Sequence, residues 1–456
     1  MKNIIETINP ATDEKINEYQ CHDIIAIKKI AQNSAIAQKK WSKINLNTRI
    51  KYIEKLSEIL DSKKQHLAKC ITNEMGKTIS ESIAEVEKCK ILCDYYIENS
   101  EKFLKSKIIQ TNFSKSYYTY QPLGVIFGIM PWNFPLWQVM RFVVPNLIIG
   151  NSILLKHASN TTGVSLEIEK FMKEVLPENL FRSLILHVNL VKEVIKDCNV
   201  AAVTITGSKK SGSSVAQEAG KNIKKSVLEL GGNDPYIILE DADLDLAAEH
   251  SVKSRLLNTG QVCIAAKRII ICESIRSEFE KKVIALVKKY KYINPLLPDA
   301  NLGPLAKKDI RETLSRQVNL SLEENASCIY KSNIPNGKGY YFPVMILNNV
   351  DCNNTAFKEE LFGPVVCITS AQDEKEAIKY ANMSEYGLSA VVFTSNITKG
   401  EYICANELNF GMCNLNSMVA SDPRLPFGGI KSSGFGRELG EMGLTEFANI
   451  KTINIR

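Results

Sequence analysis

The feature that most limits the fold is a regular alternation of short β-branched runs and amphipathic helical runs between about residues 117 and 395. Runs such as VAAVTIT and KRIIICES have the composition of strands. Between them, GVSLEIEKFMKEVL and IRSEFEKKVIALVKKY repeat apolar residues every three to four positions. This alternation predicts parallel sheets joined by crossover helices. Two such blocks meet near Gly231 without linker composition between them, so we expect two abutting α/β units.

Helical sequence precedes the alternating region, between about Asp23 and Lys105. Helical periodicity runs through IIAIKKIAQNSAIAQKKW, RIKYIEKLSEILDSKKQHLAKCITNEM and SIAEVEKCKILCDYYIENSEKFL. The aromatic stretch SYYTYQPLGVIFGIMP and the later SLILHV predict strands. The tail EFANIKTINIR alternates apolar and polar residues, which predicts a terminal strand that needs a partner sheet.

Composition argues against several classes of protein. The 57 basic and 50 acidic residues leave a net charge of +7, and the lysines are scattered along helical faces, so nucleic-acid binding is not favoured. No run of eighteen apolar residues predicts a membrane helix, and the N-terminus lacks the pattern of a secretory signal. The irregular spacing of the twelve cysteines, with only five histidines, disfavours disulfides and a zinc site. We therefore expect a cytoplasmic, metal-free protein without a nucleic-acid or membrane partner.

Three segments carry side chains suited to acyl chemistry. Glu229 of LELGGNDP lies between leucines, where burial would make it a better base, although a surface glutamate at a strand end is the simpler interpretation of that segment alone. Cys263 of NTGQVCIAAKR is either a packed thiol, as most intracellular cysteines are, or a nucleophile. Asn133, held between the prolines of PWNFP, can donate to a developing oxyanion. Together the three supply a base, a nucleophile and an oxyanion donor.

These segments, with EELFGPV and LPFGGIKSSGFGRELG, resemble the aldehyde dehydrogenase superfamily in order over essentially the whole chain. PWNFPLWQVMRF, LLKHASN and CNLNSMVASD are most similar to the short bacterial succinate-semialdehyde dehydrogenases. The resemblance implies an α/β fold with a Rossmann-like parallel-sheet cofactor domain, an α/β catalytic domain and a β-hairpin oligomerisation segment in a homodimer or homotetramer. The implied boundaries are 1–103 with 123–230 for the NAD(P)-binding domain, 231–433 for the catalytic domain, and 104–122 with 444–456 for the oligomerisation segment.

The resemblance also implies a mechanism. The Cys263 thiolate attacks the aldehyde carbon, while Asn133 and the Cys263 backbone N–H stabilise the oxyanion. Hydride then leaves the thiohemiacetal for the nicotinamide, and Glu229 activates the water that hydrolyses the thioester. Glu438 of GRELG matches a glutamate that relays protons, and a structural ion pair is its alternative role.

Succinate semialdehyde is the substrate that the resemblance favours. The alternative substrates are glutarate semialdehyde and aliphatic aldehydes. The alternative functions are transfer of the acyl group to CoA and a non-catalytic role for the same fold. The presence of Glu229 disfavours the CoA branch, because that branch lacks the general-base glutamate.

The nucleotide site has no GxGxxG motif after a strand. Gly207, Ser208 and Gly212 lie instead at a strand-to-helix junction, a common turn whose N–H groups suit a phosphate. Lys156 matches a lysine that reaches the adenosine ribose, and Ser159 replaces the glutamate frequent in NAD-preferring relatives, which favours NADP over NAD. The other residues matched to cofactor contacts are Trp132, Leu230, Glu360 and Phe362. Without the resemblance, Glu360 would be interpreted as an acid at a helix terminus and Phe362 as a core side chain.

The substrate side of the prediction rests on Arg141, which lies in the apolar segment PLWQVMRFVVP. An arginine in such a setting costs desolvation free energy unless it meets an anion. The distal carboxylate of a short aldehyde would supply one in bidentate geometry, and an internal Asp or Glu is the alternative. Trp137 is expected to line the substrate tunnel, and Ser421 to add a hydroxyl contact.

Overall fold

The computed structural model describes residues 4–456, which form fifteen α-helices and twenty strands. The strands are β1 Ile4–Asn9, β2 Glu14–Gln20, β3 Lys107–Ile109, β4 Lys115–Pro122, β5 Val125–Met130, β6 Ser152–His157, β7 Phe181–Ser183, β8 Val200–Thr206, β9 Lys225–Glu229, β10 Pro235–Ile238, β11 Arg268–Cys272, β12 Ser327–Lys331, β13 Met345–Asn348, β14 Val365–Ala371, β15 Tyr386–Gly387, β16 Ser389–Phe393, β17 Met412–Leu415, β18 Ile430–Lys431, β19 Gly434–Phe435 and β20 Ala448–Ile455. The helices are α1 Ile24–Trp41, α2 Leu46–Ser62, α3 Lys64–Met75, α4 Ile79–Phe103, α5 Trp137–Ile149, α6 Thr162–Val175, α7 Val191–Lys196, α8 Lys209–Lys221, α9 Leu244–Leu256, α10 Glu273–Val287, α11 Lys308–Glu323, α12 Thr355–Lys358, α13 Glu374–Asn382, α14 Ile397–Tyr402 and α15 Gly440–Thr445.

Two large sheets carry the alternating part of the chain. The first has the order β19-β9-β8-β5-β6-β7 and is parallel except for β19. The second has the order β12-β13-β14-β11-β10-β16-β17 and is parallel except for β12. Central strands such as β11, with the sequence RIIIC, are buried along their whole length because helices cover both faces. Two abutting parallel sheets agree with the α/β architecture that the alternation predicts.

A third sheet has the order β20-β4-β3 and is antiparallel. Eight residues of β20 pair with eight of β4, so the predicted terminal strand finds its partner within its own chain. Ile108 and Ile450 of this sheet are 73% and 60% exposed, which leaves apolar surface on a strand edge.

Local structure differs from the sequence prediction at four places. The single helix predicted across Lys63 is two helices, α2 and α3, because Lys63 leaves the helical conformation (ψ 6°). The stretch SYYTYQPLGVIFGIMP is two strands in different sheets, β4 and β5, divided at Gly124 with φ +141°. Only Ser183 of the predicted strand SLILHV lies in a strand. The hairpin of β1 and β2 was not predicted, because β2 is exposed and lacks apolar alternation.

The C-terminal segment LPFGGIKSSGFGRELG crosses from the second sheet back to the first. Its strand β19 pairs with β9 so that Gly434 lies opposite Glu229. Gly434 has φ +112°, and a Cβ there would lie 2.0 Å from the Leu228 carbonyl oxygen, so only glycine fits. The segment therefore closes over the end of β9, where the functional side chains gather. None of the helices within residues 4–456 is long and apolar enough to cross a bilayer.

Candidate active site

The loop that carries Cys263 begins with three consecutive residues in left-handed conformation: Asn258 (φ 53°), Thr259 (φ 52°) and Gly260 (φ 77°). Non-glycine residues in this region cost free energy and need support from their surroundings. Thr259 Oγ1 donates to the Gly303 carbonyl at 3.0 Å, and a Cβ on Gly260 would lie 2.2 Å from the oxygen of a facing backbone carbonyl. The strained turn thus ends α9 and directs Cys263 between the two sheets.

Cys263 lies between two cavities. One, of about 270 Å³, opens toward β9 and the start of α8. The other, of about 220 Å³, lies between α4, α5 and residues 418–421. Cys263 and Gln138 line both cavities. A thiol in this position can contact a ligand in either cavity.

Asn133 is buried on the wall of the 270 Å³ cavity, which Cys263 also lines, and 4% of its surface is exposed. Its Nδ2 donates to the Gln261 carbonyl at 3.1 Å, and its own backbone carbonyl accepts from Asn258 Nδ2 at 2.8 Å. An amide nitrogen carries two hydrogens, so these contacts fix the side chain and leave one hydrogen for an oxyanion.

Burial raises the pKa of the Cys263 thiol to about 11, while the cations of Lys267 and Arg141 oppose the shift. Lys267 Nζ donates to the Cys263 carbonyl oxygen and pairs with Glu360 Oε1 at 2.9 Å. The free thiol is therefore mostly protonated near neutral pH and must lose its proton before it attacks.

Glu229 and Glu438 form a buried pair of carboxyl groups, 2% and 5% exposed. Burial raises the pKa of Glu229 well above its ordinary value, and Glu438 raises it further. Neither Glu229 oxygen has a hydrogen-bond partner, whereas Glu438 pairs with Arg141, so Glu229 is the member that carries the proton. Neither Glu229 nor Glu438 is among the described residues that line the two cavities. Glu229 Oε1 lies against Gly428, 2.7 Å from where a Cβ on that residue would be.

Arg141 has an internal partner. Its Nε forms an ion pair with Glu438 Oε2, and both side chains are almost completely buried. Its Nη2 donates to Gln138 Oε1 at 3.0 Å, and Gln138 Nε2 in turn donates to Asn133 Oδ1 at 3.4 Å. The premise that Arg141 lacks an anion within the protein is therefore wrong, and the alternative, an internal acid, is what the structure contains. Arg141 still lines the cavity, so a substrate contact stays a prediction.

The cavity next to β9 and α8 is lined by most of the residues that the sequence matched to cofactor contacts, and we call it the cofactor-side cavity. Ser208 caps α8 by accepting from the Ser211 N–H, and no atom outside its own segment comes within 3.9 Å of a Cβ built on Gly207. A Cβ on Gly212 would lie 2.4 Å from Leu230, which explains the close packing of α8 on β9. The rings of Trp132 and Phe362 pack edge to face, with 5.7 Å between their centroids. An open glycine turn at a helix N-terminus, beside aromatic rings, fits a nicotinamide dinucleotide. The predicted residues that line this cavity are Trp132, Gly207, Ser208, Leu230, Glu360 and Phe362.

Lys156 and Ser159 lie away from both cavities. Lys156 is the penultimate residue of β6, and its Nζ donates to the His157 carbonyl at 3.1 Å. Ser159 is exposed at the start of the following turn. Because β5, β6 and β8 are parallel neighbours, their carboxyl ends share one edge of the sheet with Gly207. Contact of these two residues with the adenosine end of a cofactor stays a prediction. Within residues 4–456, no group of three or more His, Cys, Asp or Glu side chains is arranged to hold a metal ion.

The second cavity contains Trp137, Arg141 and Ser421, as the sequence predicts. It also contains Lys88 of α4, which sequence reasoning missed. A signal was present, because Glu81, Glu85 and Lys88 recur at helical spacing and therefore share one face of α4. Lys267 was missed as well, although it stands four residues after Cys263.

The fold and this site together define an aldehyde-oxidising dehydrogenase of the cysteine type. The chain belongs to the aldehyde dehydrogenase family, whose sequence pattern matches residues 1–453. Among its relatives, the succinate semialdehyde dehydrogenase Sad of Escherichia coli (strain K12), named for NAD(P)+, is 42% identical over 98% of this chain and 97% of that protein. A probable succinate-semialdehyde dehydrogenase of Synechocystis, named for NADP+, is 39% identical over 98% of this chain and 99% of that protein.

Solved structures agree with the sequence comparison. A succinic semialdehyde dehydrogenase of Streptococcus pyogenes, in complex with NADP+, superposes with a TM-score of 0.96 at 36% identity and covers 99% of both chains. The protein Gox0499 gives a TM-score of 0.97 at 34% identity, over 99% of this chain and 100% of that one. The resemblance, the α/β fold and the enzyme class inferred from the sequence are thereby confirmed.

Proposed function

We propose that this enzyme oxidises succinate semialdehyde to succinate, with NADP or NAD as the hydride acceptor, through a covalent adduct on Cys263. The observation that carries the proposal is the position of Cys263 on the walls of both cavities. A thiol accessible from a cofactor side and a substrate side can hold an acyl group between the two ligands. The names of the relatives support the choice of aldehyde and cofactor.

The residues of this chain perform the acyl chemistry. Cys263 attacks the aldehyde carbon as a thiolate, and Asn133 donates its spare amide hydrogen to the oxygen that becomes negative. A nicotinamide held beside Glu360 and Phe362 would supply the hydride acceptor. The acyl group then stays on Cys263 as a thioester.

Glu229 is the proposed base for hydrolysis of the thioester. Its raised pKa makes the carboxylate a stronger base than an exposed glutamate once the proton that it carries has passed to Glu438. Because its carboxyl group lies against Gly428 and lines neither cavity, we expect the side chain to turn toward Cys263 before it activates a water. Glu438 lies beside it, and as a pair with Arg141 it would receive or return the proton.

NADP is the favoured cofactor, and NAD is the alternative. Ser159 and Lys156 offer a hydroxyl and a cation at the adenosine end, where an acidic side chain would repel a 2′-phosphate. Glu360 and Phe362 are proposed to hold the nicotinamide ribose; Glu360 pairs with Lys267 and is in that way fixed in the cavity.

The test is steady-state kinetics with purified enzyme on succinate semialdehyde, glutarate semialdehyde and butanal, each with NADP and with NAD. We expect the highest kcat/KM with succinate semialdehyde and NADP, and loss of turnover in Cys263→Ser. Equal kcat/KM for butanal and both semialdehydes would make the enzyme a general aldehyde dehydrogenase. Undiminished turnover in Cys263→Ser would contradict the mechanism.

The assembly and location follow as proposals from two further observations. The exposed edge of the β20-β4-β3 sheet supports a homodimer or homotetramer, in which a partner covers the edge. All twelve cysteines are free thiols, which supports a reducing cytoplasm.

A further inference from the structure

Lys88 occupies a position that the chemistry at Cys263 does not explain. It lies on α4 and lines the same cavity as Cys263. Its Nζ donates to Ser421 Oγ at 2.7 Å and lies 4.4 Å from the centroid of the Trp137 ring. A hydroxyl and an aromatic face hold the ammonium group in place without neutralising its charge.

No acidic side chain within residues 4–456 forms an ion pair with Lys88, although two lie on the same face of α4. Glu85 is committed elsewhere: its Oε2 pairs with Lys77 at 2.7 Å and its Oε1 accepts from the Trp137 N–H. Glu81 accepts from the Asn258 N–H at 2.6 Å and caps the start of α4. The charge of Lys88 is therefore left for a group that enters the cavity.

The other cation of the cavity is not available in the same way. Arg141 forms an ion pair with the buried Glu438, which offsets part of its charge. Burial, and after it the cation of Arg141, lower the pKa of Lys88 to about 8. An anion beside the ammonium group would oppose both effects, because an opposite charge favours the protonated form.

We propose that Lys88, with Ser421 beside it, binds the distal carboxylate of the substrate and is the residue that selects a semialdehyde over an uncharged aldehyde of the same length. The inference rests on the proposed function, because it needs a substrate with a carboxylate at the end opposite its aldehyde. Arg141, already paired with Glu438, adds a hydrogen bond from the wall of the cavity, while Lys88 contributes the charge that no acid of the described chain pairs with.

The first experiment compares Lys88→Met, Lys88→Arg and wild type on succinate semialdehyde and butanal. Lys88→Met should lower the ratio of kcat/KM for succinate semialdehyde to that for butanal by about 10- to 100-fold, the range for a hydrogen bond to a charged group. The loss should appear mainly in KM for succinate semialdehyde, and Lys88→Arg should recover part of it. Lys90→Met is the matched control, because Lys90 lies on the same helix but pairs with Asp94 at the surface.

An unchanged ratio in Lys88→Met would overturn the inference. A wild-type enzyme without preference for succinate semialdehyde would overturn the proposed function instead, so the two failures are distinguishable. Equal losses on both aldehydes in Lys88→Met, with a lower Tm, would also refute carboxylate selection and make Lys88 structural.

A second experiment uses the wild-type enzyme alone and does not depend on the folding of a variant. The same kcat/KM ratio is measured from pH 6.5 to 9.5; the ratio cancels the ionisation of Cys263, which both aldehydes need. As pH rises through about 8, Lys88 loses its proton, so the ratio should fall. A ratio that stays constant across this range would contradict the proposal. The charged and titratable groups that face Lys88 are Glu81, Glu85, Cys89, Arg141 and Asp422.

Discussion

Replacement of Asn133 by alanine tests the oxyanion site directly. The change removes the one amide hydrogen that is free to meet the substrate oxygen, in a site where Asn133 is 4% exposed. Loss of a single donor of this kind costs about 10²- to 10³-fold in kcat, or about 2.7–4 kcal/mol of transition-state stabilisation. The low exposure places the expected loss toward the upper end of this range, because little water can replace the amide.

The same substitution should affect stability much less. The Gln261 carbonyl loses its bond from Asn133 Nδ2 but keeps one from Asn258 Nδ2 at 3.3 Å, and Gln138 Nε2 loses only its long 3.4 Å contact with Asn133 Oδ1. We therefore expect a loss in the free energy of unfolding of about 1 kcal/mol. Asn396→Ala, which removes the cap of α14 far from the site, provides a control with a comparable loss of stability and unchanged kcat.

The assay measures kcat for succinate semialdehyde and for butanal, together with Tm. Every aldehyde develops the same oxyanion, so the two substrates should lose rate by the same factor. A decrease in kcat of less than tenfold would refute the assignment of Asn133, and so would a loss confined to succinate semialdehyde.

Three further predictions concern the carboxyl groups and the thiol. Glu229→Gln should retain a burst of reduced cofactor while steady-state kcat falls by about 10²- to 10⁴-fold, because acylation proceeds without the base; absence of the burst in stopped-flow absorbance would contradict this. Alkylation of Cys263 by iodoacetamide in the free enzyme, followed by mass spectrometry, should accelerate about tenfold per pH unit between pH 7 and 9, since the thiolate fraction rises toward a pKa of about 11; a plateau at neutral pH would refute the raised value. Arg141→Ala should raise KM for succinate semialdehyde more than for butanal and should destabilise the fold by about 3–5 kcal/mol, because Glu438 loses its cation; an unchanged Tm would show that the ion pair contributes nothing.

The roles of the individual site residues and the domain boundaries stay predictions until such measurements are made. The positions of the residues are nevertheless informative. Asn133 and Cys263 meet at one cavity wall, and six residues matched to the cofactor share that cavity, whereas Lys156 and Ser159 lie apart at the expected adenosine end. Glu229 and Glu438 influence each other's ionisation but line neither of the cavities that contain Cys263.

The sequence by itself determined the α/β architecture and the chemical candidates. Strand and helix periodicity arises from which face of each element is buried, so the alternation between residues 117 and 395 predicted two parallel sheets. Local signals were weaker where a strand is exposed, as in β2, or where a single residue such as Gly124 or Lys63 breaks an element. The motifs around Asn133 and Cys263 are short and contiguous, and for that reason they could be identified from the sequence alone.

Only the tertiary structure decided which charges face each other. Arg141 pairs with Glu438, and Lys88 donates to Ser421, which lies more than three hundred residues later in the chain. No local sequence pattern encodes either contact. The strand β19, which returns the C-terminal segment to β9, brings Glu438 to Arg141 and Glu229. Arg141 is consequently paired with an acid, whereas Lys88 is paired with none in the part of the chain that the structure describes, because burial and ion pairing depend on which chain segments the sheets bring together in space.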